Sequence, residues 1–529
     1  MKAGVLLKSW LLVSVVLVDR SCAANSAPTV GIYTLDDQRV SGGTTVFGKE
    51  ASFGDFTVLV TIDTAGNVIK AEATDNYQKL DPAPALAAVR KWKFRPQIFD
   101  GKPVNAVGRV NVDYRKSPIP ADASIPFPKG EPAETSITLE RSACYGTCPD
   151  YRLTVRGDGL VQFDTGNDHF RGSAAEVHLE YNGHNVLLPG PHTARIDPLI
   201  VAKLLDRFQA AHFFGLQNEY SYGATDASTQ KLTVRVGSAS KSVTDYIGTM
   251  AGMPQEVRDL EDAVDEAAGT ARWVNGDEQT LAELDAAHFN YRSAAGAKLA
   301  IAAVQKLNDY RSSPHTEAFL IGLVERGVPL DAKVGEATVG TTLVQVAANK
   351  GNEALFAELS ERKVLAATPR SSITSAFSDV GCSAKIARTL VASGADPHIV
   401  SDNGTALTRL RGSGASCEDH PEKMMEMAHT LIALGVPLEA RDNLGWTALM
   451  GCDSPELAQL LLNRGANANA RTKDGTTPVL ATDDDRVAVI LLRAGADPRA
   501  RNDEGSVRNQ AIKYVWPATI AWLDQHGVQ

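Results

Sequence analysis

The chain has 529 residues, of which 43% are apolar and 22% charged, the balance of a soluble globular protein with several domains. Its formal net charge at pH 7 is −10. Because an acidic chain repels phosphate backbones, we expect no nucleic-acid partner.

The N-terminus has the order of a secretory signal. Lys2 and Lys8 give a positive start, residues 10–18 form a short apolar run, and residues 22–24 offer small side chains for cleavage. The apolar run is shorter than the roughly 20 residues that span a bilayer. We therefore expect a cleavable signal over residues 1–24 and a periplasmic mature chain without a transmembrane span. The alternative is a buried N-terminal helix.

A lipid anchor on Cys22 is a weaker alternative. Asp19, Arg20 and Ser21 precede it, where a lipoprotein signal has small or apolar residues.

The first predicted domain follows residues 28–50, a stretch rich in Gly, Ser and Thr that we expect to be irregular. Alternating apolar residues, a turn and a proline at a helix start then predict strand, turn, strand, helix and strand. These elements cover residues 56–62, 63–67, 68–73, a helix from Pro84, and residues 106–114.

Three stretches of this domain carry a resemblance: TVLVTIDTAGNV, PALAAVRKWKFRP and DGKPVNAVGRVNV. Together they resemble the C-terminal domain of TonB, the energy transducer of Gram-negative envelopes. The resemblance implies a small α+β domain over residues 50–115 that contacts other envelope proteins. A TonB transducer has a membrane anchor and places this domain last, whereas more than 400 residues follow it here. We therefore carry over the fold and not the energy transduction.

Residues 116–134 are predicted to be an extended linker, because prolines at this spacing disfavour both helix and sheet. The prolines are Pro118, Pro120, Pro126, Pro128 and Pro132.

A second α+β domain is predicted over residues 135–274. Residues 151–163 alternate around a Gly-Asp-Gly turn, which indicates a hairpin, and helices are expected to begin at Pro198 and Pro254. The segments ITLERSACYGTCPDYRLTVRGDGLVQF, LLDRFQAAHFFGL and TARWV resemble an uncharacterised bacterial envelope domain family. That resemblance implies no known activity.

Two cysteines of this domain, Cys144 and Cys148, have three residues between them, including Gly146, and Pro149 follows the second. Oxidoreductase motifs place two residues between the cysteines, so we expect a structural disulfide here. A redox-active pair and two unpaired thiols remain alternatives.

No metal site is expected in the second domain. Its histidines lack the close, ordered spacing of zinc ligands. They are His169, His178, His184, His192 and His212.

If the signal is removed, five cysteines remain, so at least one thiol is free or pairs between chains. A bridge between Cys382 and Cys417 is one option, and Cys452 competes for the same place.

The C-terminal part repeats itself. Similar segments begin at Gly435, Gly465 and Gly495, which are 30 residues apart, and earlier copies begin at Gly327 and Gly394. The interval of 67 residues between the earlier two leaves room for two units of about 33 residues. Each glycine is expected to end a helix in the left-handed conformation.

The segments GVPLEARDNLGWTALMGC, GANANARTKDGTTPVLAT and GADPRARNDEGSVRNQAI resemble ankyrin repeats. The resemblance implies an all-α ankyrin-repeat solenoid over residues 287–529, so the predicted fold is multidomain, with two α+β domains followed by this solenoid. Ankyrin arrays bind proteins through an extended surface. Three consecutive acids, Asp483, Asp484 and Asp485, are expected to cap a helix and stay solvated.

The expected function is that of an exported envelope scaffold that binds proteins. The sequence has no glycine-rich phosphate loop and no serine nucleophile elbow, so we expect neither an enzyme nor a cofactor. Alternatives are an enzyme or thiol-redox activity in residues 135–274, and an accessory role in TonB-dependent outer-membrane uptake.

Candidate partner-binding residues lie where the repeat turns project from the stack. Trp446 is the sharpest candidate, because exposed aromatic side chains are common binding anchors; packing against the adjacent turn is its alternative role. The candidates are Arg441, Asn443, Trp446, Arg471, Lys473 and Arg501.

We predict that the mature protein begins at Asn25, because small residues precede the cleavage position after Ala24. N-terminal sequencing of protein from a periplasmic fraction tests this. An intact Met1 in the cytoplasmic fraction would contradict export.

Overall fold

The computed structural model describes residues 27–51, 56–74, 80–146, 148–165, 185–308, 314–410, 417 and 421–529. The predicted signal, residues 1–24, lies outside this part of the chain. The architecture is multidomain, with two β-rich domains followed by a helical region. Within the described ranges, no helix combines the length and apolar character needed to cross a bilayer.

The first domain is built around one long strand. Its elements are β1 Thr29–Thr34, β2 Arg39–Ser41, β3 Thr45–Gly48, β4 Phe56–Ile62, β5 Val68–Ala73, α1 Ala83–Val89, β6 Lys93–Phe94, β7 Gln97–Phe99 and β8 Lys102–Lys116. The main sheet has the order β1-β8-β4-β5, and β3 and β7 also pair with β8. The predicted strands and helix are present, with α1 beginning one residue before Pro84.

Residues 28–50, expected to be irregular, instead contain β1, β2 and β3. Both β1 and β3 run parallel to β8. Their pairing partner lies more than 60 residues away, so the local sequence carries little signal of it.

The residues between the two β-rich domains are extended, and they pack against the second domain. Strand β8 continues to Lys116, and the chain then packs on the second domain. The backbone N–H of Ile119 donates to the Gly252 carbonyl at 2.8 Å, and Phe127 meets Phe214 edge to face. The predicted linker 116–134 therefore joins the two domains firmly.

The second domain has a seven-stranded sheet of order β12-β11-β10-β9-β14-β15-β13. Helices α2 and α3 cover one face of it, where Leu139 and Leu153 meet Phe208 and Leu260 in a common core. The elements are β9 Thr135–Arg141, β10 Tyr151–Arg156, β11 Leu160–Asp164, β12 His192–Arg195, α2 Pro198–Ala210, β13 Glu219–Ser221, β14 Gln230–Val236, β15 Ala239–Tyr246, α3 Gln255–Ala268 and α4 Ala271–Val274.

The helical region begins at Glu278, before the expected start at residue 287. It shares one continuous apolar core from Leu281 to Val528. Its elements are α5 Glu278–Ala286, α6 Ala294–Asn308, α7 Pro314–Glu325, β16 Lys333–Val334, β17 Ala337–Thr338, α8 Val339–Asn349, α9 Glu353–Glu361, α10 Val364–Ala367, α11 Arg370–Ser378, α12 Ala384–Ala392, α13 Pro421–Ala433, α14 Pro455–Asn463, α15 Pro478–Ala481, α16 Asp485–Arg493, β18 Arg501–Asn502, β19 Gly505–Ser506, α17 Val507–Lys513 and α18 Pro517–Gln525.

The predicted left-handed glycines are confirmed. Gly327, Gly394, Gly435, Gly465 and Gly495 follow helices and have φ between 83° and 102°. Only glycine adopts this conformation without a steric cost, so these positions end the helices on which the repeat depends.

The first domain docks on the C-terminal end of the helical region through Asp485. This carboxylate is completely buried. It accepts hydrogen bonds from the backbone N–H groups of Gly31, Ala518 and Thr519, at 2.9, 2.9 and 2.7 Å, and from the Thr519 hydroxyl at 2.6 Å. We call this group the Asp485 clasp. It ties β1 to α16 and α18 across more than 450 residues of sequence.

The clasp corrects one expectation about the acidic triplet. Asp484 caps α16 by accepting from the Arg486 N–H, as expected, but neither Asp484 nor Asp485 is solvated, because both side chains are buried. Burial raises the pKa of Asp485 to about 6, and the four hydrogen bonds offset part of that effect.

Two exposed or partly exposed contacts flank the clasp. Arg493 pairs with Asp100 at 2.8 Å, and Arg486 donates to the Gln97 side chain at 3.3 Å. Gly31 touches the last helical unit so closely that an added Cβ would lie 2.3 Å from the Val515 carbonyl oxygen.

We predict that Asp485→Ala loosens the docking of the first domain. The change leaves buried N–H groups without acceptors, which costs about 2–4 kcal/mol. Hydrogen exchange of the Gly31, Ala518 and Thr519 amides should become faster. Asp503→Ala, which removes an exposed acid near the same end, serves as the matched control. Unchanged exchange at Gly31 in the Asp485 variant would contradict the clasp.

Candidate functional site

The best-formed candidate site lies beside the disulfide of the second domain. Cys144 and Cys148 are bonded, with their sulfur atoms 2.01 Å apart, in the connection between β9 and β10. Arg141 and Tyr151 are paired at the ends of these antiparallel strands, so the bridge closes the loop just above them. Tyr145, at the tip of this loop, is 73% exposed.

An open cavity of about 770 Å³ lies between this loop and α3. Its floor carries opposite charges within a small space. The charged and phenolic side chains that line it are Arg141, Tyr151, Arg258, Asp262 and Asp265.

Asp265 is the centre of the charged floor. Arg141 donates to it through Nε at 2.9 Å, and its second guanidinium nitrogen lies 2.8 Å away. The hydroxyls of Tyr151 and Thr270 donate to the other carboxylate oxygen at 2.7 and 2.9 Å. Burial, and then the charge of Asp265, raise the pKa of Tyr151 well above its usual value, so the phenol stays a neutral donor.

A second acidic pair lies behind the floor. Asp245 is fully buried, accepts from the Gly248 N–H and pairs with Arg258 at 2.8 Å. Glu261 is 1% exposed, and its Oε1 atom has no hydrogen-bond partner among the described residues. Burial, and then the charge of Asp245, raise the pKa of Glu261 to about 8. Glu261 is therefore a neutral acid at pH 7.

The floor can hold a ligand that carries both a positive and a negative group, because Arg258 and Asp262 face the same cavity. It offers no thiolate, since both loop cysteines are bonded to each other. In the described part of the chain, no cluster of three or more His, Cys, Asp or Glu side chains is placed to hold a metal ion.

The charged floor was not predicted from the sequence. Its residues lie on β9, β10 and α3, up to 124 positions apart. Two features of the sequence could have indicated these positions. Arg141 continues the inward alternation of Ile137 and Leu139, and Glu261 lies four residues after Val257 on the apolar side of α3.

The structure places two of the five histidines of the second domain. His192 stacks on Trp273 with ring centroids 5.6 Å apart, and His212 takes a left-handed conformation before a short 3-10 turn. His169, His178 and His184 lie outside the described residues.

A second disulfide joins Cys382 and Cys417, and Cys452 is buried as a free thiol. Burial raises the pKa of Cys452 to about 12, so this thiol is protonated and inaccessible at neutral pH. The sequence allowed either a Cys382–Cys417 bridge or a bridge that includes Cys452. The structure has the Cys382–Cys417 bridge.

The predicted partner-binding residues lie on consecutive turns of the helical region. Trp446 is half-buried, and the other five are exposed. Those five are Arg441, Asn443, Arg471, Lys473 and Arg501.

Two of the arginines join neighbouring turns. Arg441 donates to the carbonyl oxygens of Gly445 and Arg471, at 2.7 and 2.9 Å, and Arg471 lies 3.4 Å from Asp497. These side chains therefore stabilise the stack as well as facing solvent.

Leu444 is the residue of this surface that the sequence analysis missed. The Asp442 carboxylate accepts from the N–H groups of Leu444 and Trp446, both at 2.9 Å, and Gly445 follows with φ 83°. This turn directs Leu444 outward, where it is 69% exposed. Its place between Asp442 and Gly445 was the available signal.

Two family models match the chain. A model of the Gram-negative bacterial TonB protein C-terminal region matches residues 49–115, and a model of a domain of unknown function (DUF6438) matches residues 135–268. Both resemblances noted in the sequence are thereby confirmed, and neither match extends into the helical region. No curated protein matches the chain.

We predict that Glu261→Gln removes a pH dependence from the second domain. A glutamate with pKa about 8 in the folded state and 4.5 when exposed favours folding below pH 4.5, and this stability is lost as pH rises through 8. The wild-type domain should therefore lose about 3–5 kcal/mol between those limits, and the variant should not.

Hydrogen exchange of the α3 amides at about pH 5 and about pH 9, corrected for intrinsic exchange rates, measures this difference. Glu266→Gln, an exposed position on the same helix, is the control. An equal pH dependence in wild type and Glu261→Gln would show that Glu261 is ionised in the folded protein.

Proposed function

We propose that this protein is an exported envelope scaffold that binds a partner protein through ankyrin-type repeats in its helical region. The observation that carries the proposal is a set of contacts between consecutive units that recurs at an interval of 30 residues. Examples are Ser383 to Glu353 at 2.8 Å, Asn349 to the Asp379 carbonyl at 3.1 Å, and Thr482 to the Cys452 carbonyl at 3.0 Å. A stack of like units makes such contacts.

Export is supported by the signal-like N-terminus and by the two disulfides. Disulfides persist in oxidising compartments such as the periplasm and are rare in the cytosol. The TonB-like domain is compatible with the same location.

The turn surface supports protein binding. Arg441, Arg471 and Arg501 recur at 30-residue spacing on three successive exposed turns, and Leu444 adds an exposed apolar side chain beside the first. A partner with acidic residues flanking an apolar pocket complements this surface.

A binding role is also supported over thiol chemistry. Cys144, Cys148, Cys382 and Cys417 are bonded in pairs, and Cys452 is buried and protonated. Among the described residues, no cysteine offers the exposed thiolate that a redox or nucleophilic mechanism needs.

We predict that a photo-crosslinking residue at position 444 captures a periplasmic protein when the full chain is expressed in cells. Leu199 on α2 is a matched control, since it is 68% exposed compared with 69% for Leu444. Mass spectrometry should identify a band that appears from position 444 and not from position 199.

Replacing Leu444 with Ala should weaken binding of the identified protein by about 1–2 kcal/mol without changing the melting temperature. Capture at position 199 only, or unchanged affinity of Leu444→Ala, would contradict the assigned surface. If the captured protein is an outer-membrane transporter, the accessory role in uptake becomes the specific form of this function.

A further inference from the structure

The seven-stranded sheet of the second domain has one face covered by helices, and no helix of the described ranges covers the other face, which we call the open face. Strand register places the open-face residues in rows that run across the strands. Two adjacent rows differ sharply in chemistry. One row has uncharged hydrogen-bonding side chains and the other has arginines.

The uncharged row has a hydroxyl or amide group on each of six neighbouring strands. Thr138 and Thr154 are 3.1 Å apart through their hydroxyls, and Thr233 and Ser242 are 2.8 Å apart. The full row, from β12 to β15, is Thr193, Gln162, Thr154, Thr138, Thr233 and Ser242.

The arginine row runs alongside it. Arg195 on β12, Arg156 on β10 and Arg235 on β14 lie on every second strand, with Leu160 and Ser136 between them. Two strand spacings separate successive arginines by about 10 Å, close to the length of a disaccharide. Leu160 adds one apolar side chain to this row.

The arginine row has a net positive charge even when the nearby acidic side chains are included. Asp158 pairs with Arg156 at 3.2 Å, and Glu134 lies at the rim of a cavity on this face. Arg195 and Arg235 are exposed, and neither has an acidic partner within 4 Å in the described ranges. The cavity has a volume of about 660 Å³ and is lined by Thr154, Gln162 and Arg235, among others.

We propose that this open sheet face binds a linear glycan that carries a carboxylate on every second sugar. The hydroxyl and amide row would take the sugar hydroxyls, and Arg195 and Arg235, which have no acidic partner among the described residues, would each take one carboxylate through the guanidinium fork. The site is independent of the helical region and of the cavity beside the disulfide.

The spacing favours a sparsely charged polymer over a dense polyanion. Each strand of a DNA duplex carries a charge about every 3.4 Å, so arginines about 10 Å apart would leave roughly two of every three phosphates without a partner. The acidic chain, with net charge −10, also repels a dense polyanion. A glycan with a charge on alternate sugars fits both constraints.

Calorimetric titration of the full chain with hyaluronan oligosaccharides tests the proposal, because hyaluronan carries a carboxylate on alternate sugars. We expect saturable binding that weakens with added salt, and much weaker binding of neutral chitin oligosaccharides of equal length. The double variant Arg195→Gln with Arg235→Gln should bind hyaluronan at least tenfold more weakly.

The matched control is Lys203→Gln with Arg207→Gln, which removes two positive charges from α2 on the opposite side of the same domain. It should bind as wild type does, and both double variants should keep the wild-type melting temperature. No binding of hyaluronan, equal binding of chitin, equal loss in both double variants, or a preference for anionic phospholipid vesicles would each overturn the proposal.

Discussion

The structure depends on one buried carboxylate. Asp485 is enclosed at the contact of the first domain with the end of the helical region, and it is held there by four donors. An ionised carboxylate without partners would be too costly to bury, so the four donors are the condition for its position. One of them comes from Gly31, near the other end of the chain, and the contact therefore fixes where the first domain lies.

The two β-rich domains cover opposite ends of the helical region. An elongated stack of helices with one shared apolar core leaves apolar surface at each end, which must be shielded from water. At the C-terminal end, Trp516 is fully buried and Ala518 packs against the core of the first domain. At the other end, Leu187 of the second domain joins the helical core next to Phe319. Two folded domains of the same chain therefore shield the two ends of the helical core from water.

The second domain presents chemistry on two separate surfaces. The charged floor beside the disulfide is built from side chains that point inward from β9 and β10 and from one side of α3. The polar and arginine rows use the alternate positions of the same strands. Because successive side chains of a strand point to opposite faces, a single hairpin can support both surfaces without sharing a residue between them.

The sequence by itself determined the local structure. Alternation predicted β4, β5 and the β10–β11 hairpin, and glycine spacing predicted where helices of the repeated region end. These features follow from the period of a strand and the steric freedom of glycine, which are properties of neighbouring residues. The TonB-like and DUF6438 segments were recognisable for the same reason, since their motifs are continuous stretches.

Only the tertiary structure decided which distant residues meet. The parallel pairing of β1 with β8, the burial of Asp485 and the grouping of Arg141 with Asp265 join segments that are far apart along the chain. The sequence pattern predicts a solvated aspartate in an acidic triplet, because charged residues are usually exposed. Its burial is stabilised by donors from Gly31 and from the adjacent residues Ala518 and Thr519, and no local pattern encodes their convergence.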